Sequence, residues 1–124
     1  MTVFDPSTLH QLVDAHERPF ALELAGTFRR MLANRVGRVV AGVLASDHDE
    51  TMDAVLSLKV SATMTGAREL AELASYIEAD LRALDLPSAR SQALLLPAAA
   101  LRAEGAIDAY LAQAPHIVTG LRPA

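Results

Sequence analysis

The chain has 124 residues, no cysteine, 52% hydrophobic residues and a formal net charge of −4. High hydrophobicity and low charge favour one folded domain over a disordered chain, and the negative sign argues against a nucleic-acid partner. The lack of cysteine excludes disulfides, thiolate metal sites and cysteine nucleophiles. Apolar runs are too short to span a membrane and the first residues lack a basic leader, so we expect a cytoplasmic protein with no membrane partner.

Alanine and leucine dominate the composition. The chain contains 24 Ala and 19 Leu, more than a third of all residues, whereas aromatic residues make up 4%. Ala and Leu are among the strongest helix formers; the aromatic residues that strands prefer are scarce, and β-branched residues rarely occur in runs. The sequence therefore predicts an all-α domain.

Prolines, a glycine and capping residues divide the chain into five predicted helices. Proline is tolerated in a first helical turn, where its missing N–H needs no partner, and Asp47 with Glu50 has the spacing of an N-terminal capping box. Gly66 ends one helix, and Pro97, which removes a backbone donor, should kink or split the last one. The predicted helices span residues 6–16, 19–45, 47–65, 67–84 and 88–113.

The second predicted helix contains three glycines and four arginines. Gly26, Gly37 and Gly42 lie inside it, and each costs roughly 1 kcal/mol relative to alanine. We therefore expect a neighbouring helix to approach closely at these glycines. The arginines are expected to form a solvated face: Arg29, Arg30, Arg35 and Arg38.

Short connections between long amphipathic helices favour antiparallel neighbours. We therefore expect the four longer helices to close an up-down-up-down antiparallel four-helix bundle, with the short N-terminal helix as a lid. This single domain is predicted to span residues 1–114, followed by a C-terminal tail over residues 115–124.

The densest polar cluster is Asp47-His48-Asp49-Glu50. A hard cation or a general acid–base site is one interpretation of it, but helix capping explains the same residues without further assumption. The four histidines, at positions 10, 16, 48 and 116, lack the spacing of metal ligands. Nucleophilic triads, phosphate-binding glycine loops and zinc motifs are also missing from the sequence, so we predict no enzymatic activity, no metal and no cofactor.

Residues 54–67 read Ala-Val-Leu-Ser-Leu-Lys-Val-Ser-Ala-Thr-Met-Thr-Gly-Ala. This segment resembles a helix of the histidine phosphotransfer (HPt) domains of two-component phosphorelays, which reads Ala-His-x-Leu-Lys-Gly-Ser-x before a Gly-Ala pair. The matching residues are Leu58-Lys59, Ser61 and Gly66-Ala67. The resemblance extends over nearly the whole chain, from the Asp-Pro opening to a fourth helix with Leu70, Leu73 and Glu78.

The departures from the HPt pattern fall on its functional positions. The family's phosphoacceptor histidine stands three residues before the lysine, where this chain has Leu56. The family's glycine, which leaves room for a docking receiver domain, corresponds to Val60. A leucine side chain has no lone pair that could accept a phosphoryl group. Ser57 and Ser61 are nearby, but an alcohol without an adjacent base is a poor nucleophile.

Lys59 is the only lysine in the chain. In HPt domains the corresponding lysine lies beside the phosphorylated histidine and meets the acidic site of the receiver domain. The resemblance therefore implies that Lys59 binds a partner; a solvated lysine with no such role is the alternative.

Taken together, these matches and departures imply a pseudo-phosphotransfer adaptor that binds a receiver domain or a histidine kinase without carrying phosphate. One alternative is a structural or dimerisation bundle with no phosphorelay role. The other is a working phosphotransferase that uses another histidine, such as His48. That residue lies eight positions before Leu56, about 12 Å along a helix, at the start of the helix rather than at its middle.

Four apolar side chains recur at four-residue spacing along the third predicted helix: Met52, Leu56, Val60 and Met64. The inward stripe is predicted to be Val55, Leu58 and Ala62, which places the four-residue series at the margin of the buried arc or outside it. Either this helix is buried unusually deeply, or the series forms an apolar patch on which a partner or a second copy of the chain docks.

Overall fold

The computed structural model describes residues 2–14 and 18–119, which form six α-helices. These are α1 (Pro6–Asp14), α2 (Arg18–Leu44), α3 (His48–Thr65), α4 (Arg68–Arg82), α5 (Leu86–Ala93) and α6 (Leu96–Thr119). Every regular element within these ranges is helical, and the all-α prediction is confirmed. None of the helices in the described ranges combines the length and apolarity needed to cross a membrane.

Helix α1 begins where the Asp-Pro opening predicts. The Asp5 carboxylate accepts hydrogen bonds from the backbone N–H and the hydroxyl of Ser7, which caps the first turn. The predicted end of this helix, His16, lies outside the described residues.

The start of α3 confirms the predicted N-cap at Asp47, but Glu50 does not make the second contact of a capping box. Asp47 is the N-cap, and its carboxylate accepts from the Glu50 backbone N–H at 3.1 Å. In a full capping box the Glu50 side chain would reach back to the Asp47 N–H. Instead, the Glu50 carboxylate binds the Arg38 guanidinium of α2 at 2.7 Å, and the Asp47 N–H donates to the Gly42 carbonyl.

The last predicted helix is two helices. Helix α5 ends at Ala93, and α6 begins at Leu96 with Pro97 in its first turn, so the split expected from Pro97 is confirmed. The predicted start at Ser88 is wrong by two residues, because the Asp85 carboxylate caps the Ser88 N–H and Leu86 and Pro87 form the first turn. Helix α6 continues to Thr119 through the first five residues of the predicted tail at 115–124; residues 120–124 lie outside the described part.

The polar contacts between helices fit an antiparallel arrangement of α2, α3 and α4 and place α6 beside α2 and α4. Arg38 near the end of α2 pairs with Glu50 at the start of α3, and His48 at the start of α3 meets the Leu81 carbonyl near the end of α4. Arg29 of α2 pairs with Glu104 and Asp108 of α6, while Glu69 of α4 pairs with Arg102 of α6. One apolar core lies between the helices; its largest fully buried side chains include Leu32, Val39, Leu58, Leu70, Ile77, Leu81, Leu96 and Ile107.

The arginines predicted to form a solvated face on α2 do lie at the surface, with Arg30 and Arg38 exposed and Arg29 and Arg35 partly exposed, but two of them also make ion pairs between helices. Arg29 and Arg38 each bind a carboxylate of a neighbouring helix and so join α2 to α6 and α3. Arg30 and Arg35 bond within α2, to Thr27 and Met31.

The glycines of α2 have different surroundings. A Cβ at Gly42 would lie 2.5 Å from Thr51 Oγ1 and 3.1 Å from Thr51 Cα, so α3 does approach α2 closely there. The same prediction is wrong for Gly26, where a Cβ would meet Arg30 of the same helix, and for Gly37, where it would meet no described atom within 4 Å.

Candidate docking surface on the third helix

The buried face of α3 leaves an apolar ridge pointing outward. Val55, Leu58 and Ala62 are fully buried, as the sequence predicts, and Thr51, Ala54 and Thr65 extend the buried face. Because a helix turns about 100° per residue, residues 56, 60 and 64 lie on the opposite side. Their exposed fractions are 36% for Leu56, 57% for Val60 and 50% for Met64.

We call Met52, Leu56, Val60 and Met64 the α3 ridge. Met52 is partly buried and packs against the core at one end, whereas the other three members face solvent. The sequence left two possibilities for Leu56, burial in the core or exposure in an apolar patch. In the structure Leu56 is exposed. Exposed apolar side chains that are contiguous on one helix face are typical of interaction sites.

A pair of cations borders the ridge on the side of α4. Lys59 Nζ donates to Glu78 Oε1 at 2.9 Å, and Arg82 donates to Glu78 Oε2 at 2.8 and 3.0 Å. Hydrogen bonds from Lys59 and then Arg82 hold the pKa of the Glu78 carboxyl below its ordinary value of 4.5. Two cations on one carboxylate leave a net charge of about +1 at this edge.

Sequence reasoning named Lys59 but missed its partners. Lys59 is ion-paired with Glu78 of the next helix, and its side chain remains 39% exposed. The signal for Arg82 was present, since Glu78 and Arg82 have the i, i+4 spacing of a helical ion pair. The pairing of Lys59 with Glu78 depends on how α3 and α4 pack against each other. The sequence pattern alone does not determine which residues of two neighbouring helices lie side by side.

Two hydroxyl groups close to the ridge, those of Ser61 and Thr63, donate to the helix backbone. The Ser61 hydroxyl donates to the Ser57 carbonyl at 2.8 Å, and the Thr63 hydroxyl donates to the Lys59 carbonyl at 2.7 Å. A hydroxyl that donates to a carbonyl has no base to take its proton, so neither is activated as a nucleophile.

The cluster at residues 47–50 serves the ends of the helices. Asp47 caps α3, Glu50 binds Arg38, and His48 Nε2 lies 3.0 Å from the Leu81 carbonyl of α4. Asp47 and His48, with Leu84 and Leu86, border a small, mainly apolar cavity of about 170 Å³. Within residues 2–14 and 18–119 no group of three or more potential ligands could hold a metal ion.

The turn between α3 and α4 carries the Gly-Ala pair of the HPt pattern. Gly66 has φ of +90°, the left-handed conformation that glycine adopts freely, and ends α3. Ala67 is fully buried next to it. The Asp5 N–H donates to the Gly66 carbonyl at 2.7 Å, so the Asp-Pro opening and the Gly-Ala pair are in contact.

No protein-family model, curated protein or solved structure matches the chain. The resemblance to HPt domains therefore depends on the sequence pattern alone.

Proposed function

We propose that this protein is a pseudo-HPt adaptor of a two-component phosphorelay, which binds a receiver domain or a histidine kinase through the α3 ridge and carries no phosphate. The observation that supports it most is the exposure of Leu56 on the outer face of α3, one turn from Lys59 and Val60. A phosphoacceptor must be reachable by its partner, and the position that matches the acceptor in the HPt pattern is on the surface.

The arrangement of the helices supports the same proposal. We propose that α2, α3, α4 and the α5–α6 arm form an up-down-up-down four-helix bundle of the HPt type, with α1 as its lid. The ion pairs that join α2 to α3, α2 to α6 and α4 to α6 are consistent with such a ring of neighbours. A long helical bundle would hold the α3 ridge on a rigid support.

Because leucine stands at the acceptor position, the proposed adaptor would act only by occupying the binding surface of its partner. A protein that covers a receiver domain without accepting phosphate would compete with functional phosphotransfer domains for the same surface. Its effect would therefore depend on its concentration and affinity, and it would leave the phosphoryl group on the receiver domain.

The chemical test is incubation with receiver domains phosphorylated by a small phosphodonor, and with a histidine kinase and ATP. We expect no acid-labile, base-stable phosphate on the protein. Phosphohistidine at any position would contradict the proposal, and the modified peptide would show whether His48 is the acceptor.

The constructive test restores the HPt pattern with Leu56→His and Val60→Gly together. We expect the double variant to accept phosphate from a receiver domain that binds the parent protein. Val60→Gly alone is the control for the loss of helix stability, roughly 1 kcal/mol, and should remain unphosphorylated.

The binding test compares two leucines that are both exposed. Leu56→Asp should abolish binding to the receiver domain or the kinase, whereas Leu101→Asp, the same change on the surface of α6, should leave it intact. If neither class of protein binds the parent chain, the bundle is a structural module without a phosphorelay role.

A further inference from the structure

An apolar groove lies at the surface between α2 and α6. It has a volume of about 540 Å³, and we call it the α2–α6 groove. Its walls include Ala33, Gly37 and Leu44 of α2 and Pro97, Leu101 and Glu104 of α6. Leu44 is 63% exposed and Leu101 is 69% exposed, so large apolar side chains stand at the groove with little cover from the described residues. Such surfaces are typical of interaction sites.

The α2 wall is shallow because its exposed residues are small. Gly37 lies exposed in the middle of α2, and a Cβ there would meet no described atom within 4 Å. Glycine inside a helix is less favourable than alanine, and no described contact within the chain requires it at this position. Ala33 and Ala41, one turn to either side, are exposed as well. This stretch of α2 therefore leaves room for a bulky side chain to approach the helix backbone closely.

Leu101 stands across the groove from this shallow stretch. Arg29 of α2 pairs with Glu104 and Asp108 of α6. From that level, the groove is lined by later residues of α2 and by earlier residues of α6, which fits an antiparallel pair of helices. Counting along both helices from the ion pairs places Leu101 level with Gly37 to within about one turn.

The two walls differ in charge at the end of the groove where Arg29 lies. Arg30, the next residue, is exposed and bonds to the Thr27 hydroxyl; among the described residues it has no carboxylate partner. On α6, Glu104 and Asp108 share the single guanidinium of Arg29, which leaves a net charge of about −1 there. The α2 side thus presents a cation, and the α6 side presents excess negative charge.

These features fit one symmetric arrangement of two chains. A two-fold axis along the groove places α2 of each copy on α6 of the other, at the same level. Leu101 of one copy then lies on the shallow stretch at Gly37 of the other, and Arg30 faces Asp108. An axis across the groove would place α2 against α2, so walls of like charge would meet and oppose association.

We propose that the α2–α6 groove is the interface of a two-fold homodimer, in which Leu101 of each chain packs on Gly37 of the other and Arg30 of each chain pairs with Asp108 of the other. No residue of the α3 ridge lines this groove. Dimerisation is therefore independent of the proposed adaptor function, and either can fail without the other.

Sedimentation of the full chain from about 1 μM to about 200 μM measures the self-association. Leu101→Asp places a carboxylate in the apolar part of the interface and should weaken association at least about tenfold. Leu56→Asp is the matched control on the α3 ridge and should leave association unchanged. A chain that is monomeric at about 200 μM, or a dimer dissociated by Leu56→Asp and not by Leu101→Asp, overturns the proposal.

Charge reversal tests the symmetry of the dimer. Arg30→Glu and Asp108→Arg should each weaken association roughly tenfold, because like charges then face each other twice. An equimolar mixture of the two variants should associate to within about threefold of the parent, since each mixed dimer has two pairs of opposite charge. Arg35→Glu is the control, because Arg35 bonds within α2 to Met31 on another side of the helix; it should not weaken association or rescue Asp108→Arg. A mixture of Arg30→Glu and Asp108→Arg that associates as weakly as either variant alone overturns the proposal.

Discussion

Asp5 and Gly66 are bonded backbone to backbone across 61 positions of sequence. The Asp5 N–H donates to the Gly66 carbonyl at 2.7 Å. A Cβ at position 66 would lie only 2.5 Å from the Asp5 carbonyl oxygen, which is too close for a side chain. Gly66 thus meets two requirements at once, a left-handed backbone and the absence of a side chain.

We expect Gly66→Ala to destabilise the protein by about 2–3 kcal/mol, because the alanine Cβ meets backbone as well as adopting an unfavourable φ. Chemical denaturation measures this loss. Gly37→Ala is the control, because a Cβ there meets no described atom within 4 Å; in mid-helix it should stabilise by roughly 0.5–1 kcal/mol. Equal effects of the two changes would contradict this explanation.

Leu84 also has a left-handed backbone, with φ of +56°, directly after the C-cap of α4. Its side chain is 80% exposed, so replacing it sacrifices little burial. Leu84→Gly should therefore raise the free energy of unfolding by about 1 kcal/mol, since glycine adopts this conformation without steric cost.

Leu94 provides the comparison for Leu84. It is 65% exposed but has φ of −67°, so Leu94→Gly should lower stability by up to about 1 kcal/mol through the added freedom of the unfolded chain. Opposite shifts in the melting temperature support the role of the backbone conformation at Leu84; a loss of stability in both variants argues against it.

The Glu78 carboxylate makes part of the stability dependent on pH. Because its pKa is lowered in the folded protein, its contribution is present above about pH 4.5 and is lost as the pH falls through the lower folded-state pKa. Glu78→Gln should reduce stability at neutral pH and make the loss on acidification shallower. Urea unfolding between about pH 3 and about pH 7 tests this, with Glu72→Gln on the same helix as the control. Identical pH profiles for the two variants would show that the ion pairs of Glu78 contribute nothing to the pH dependence of stability.

Neighbouring leucines of α3 should respond differently to substitution. Leu58 is fully buried, and Leu58→Ala should cost about 2–5 kcal/mol through lost burial and the cavity left behind. Leu56→Asp places its carboxylate at the surface and should cost less than about 1.5 kcal/mol. A collapse of the melting temperature in Leu56→Asp would place that residue in the core and remove the basis for the docking surface.

The helices were predictable because their signals are local. The cap at Asp47, the break at Gly66 and the split near Pro97 each depend on chemistry within a few residues. The inward stripe of α3 follows in the same way from helical periodicity.

What the sequence did not reveal depends on contacts between distant segments. Gly37 and Gly42 look alike in the sequence, yet only Gly42 faces a neighbouring helix among the described residues. The spacing from Asp47 predicts a capping-box contact for Glu50, but its carboxylate binds Arg38 of the preceding helix instead. Tertiary packing determines which of these contacts form, and local sequence patterns do not encode it.

The contacts of the first few residues bear on the order of folding. Val3 accepts from the Glu69 N–H, Phe4 stacks edge-on against Tyr110, and Asp5 bonds to Gly66. By contrast, α2, α3 and α4 join neighbours along the chain, so their pairing closes short loops at little entropic cost. We therefore expect the N-terminal segment to dock after the α3–α4 turn and α6 have formed. Hydrogen exchange of the Glu69 amide, which donates to the Val3 carbonyl, would test this order.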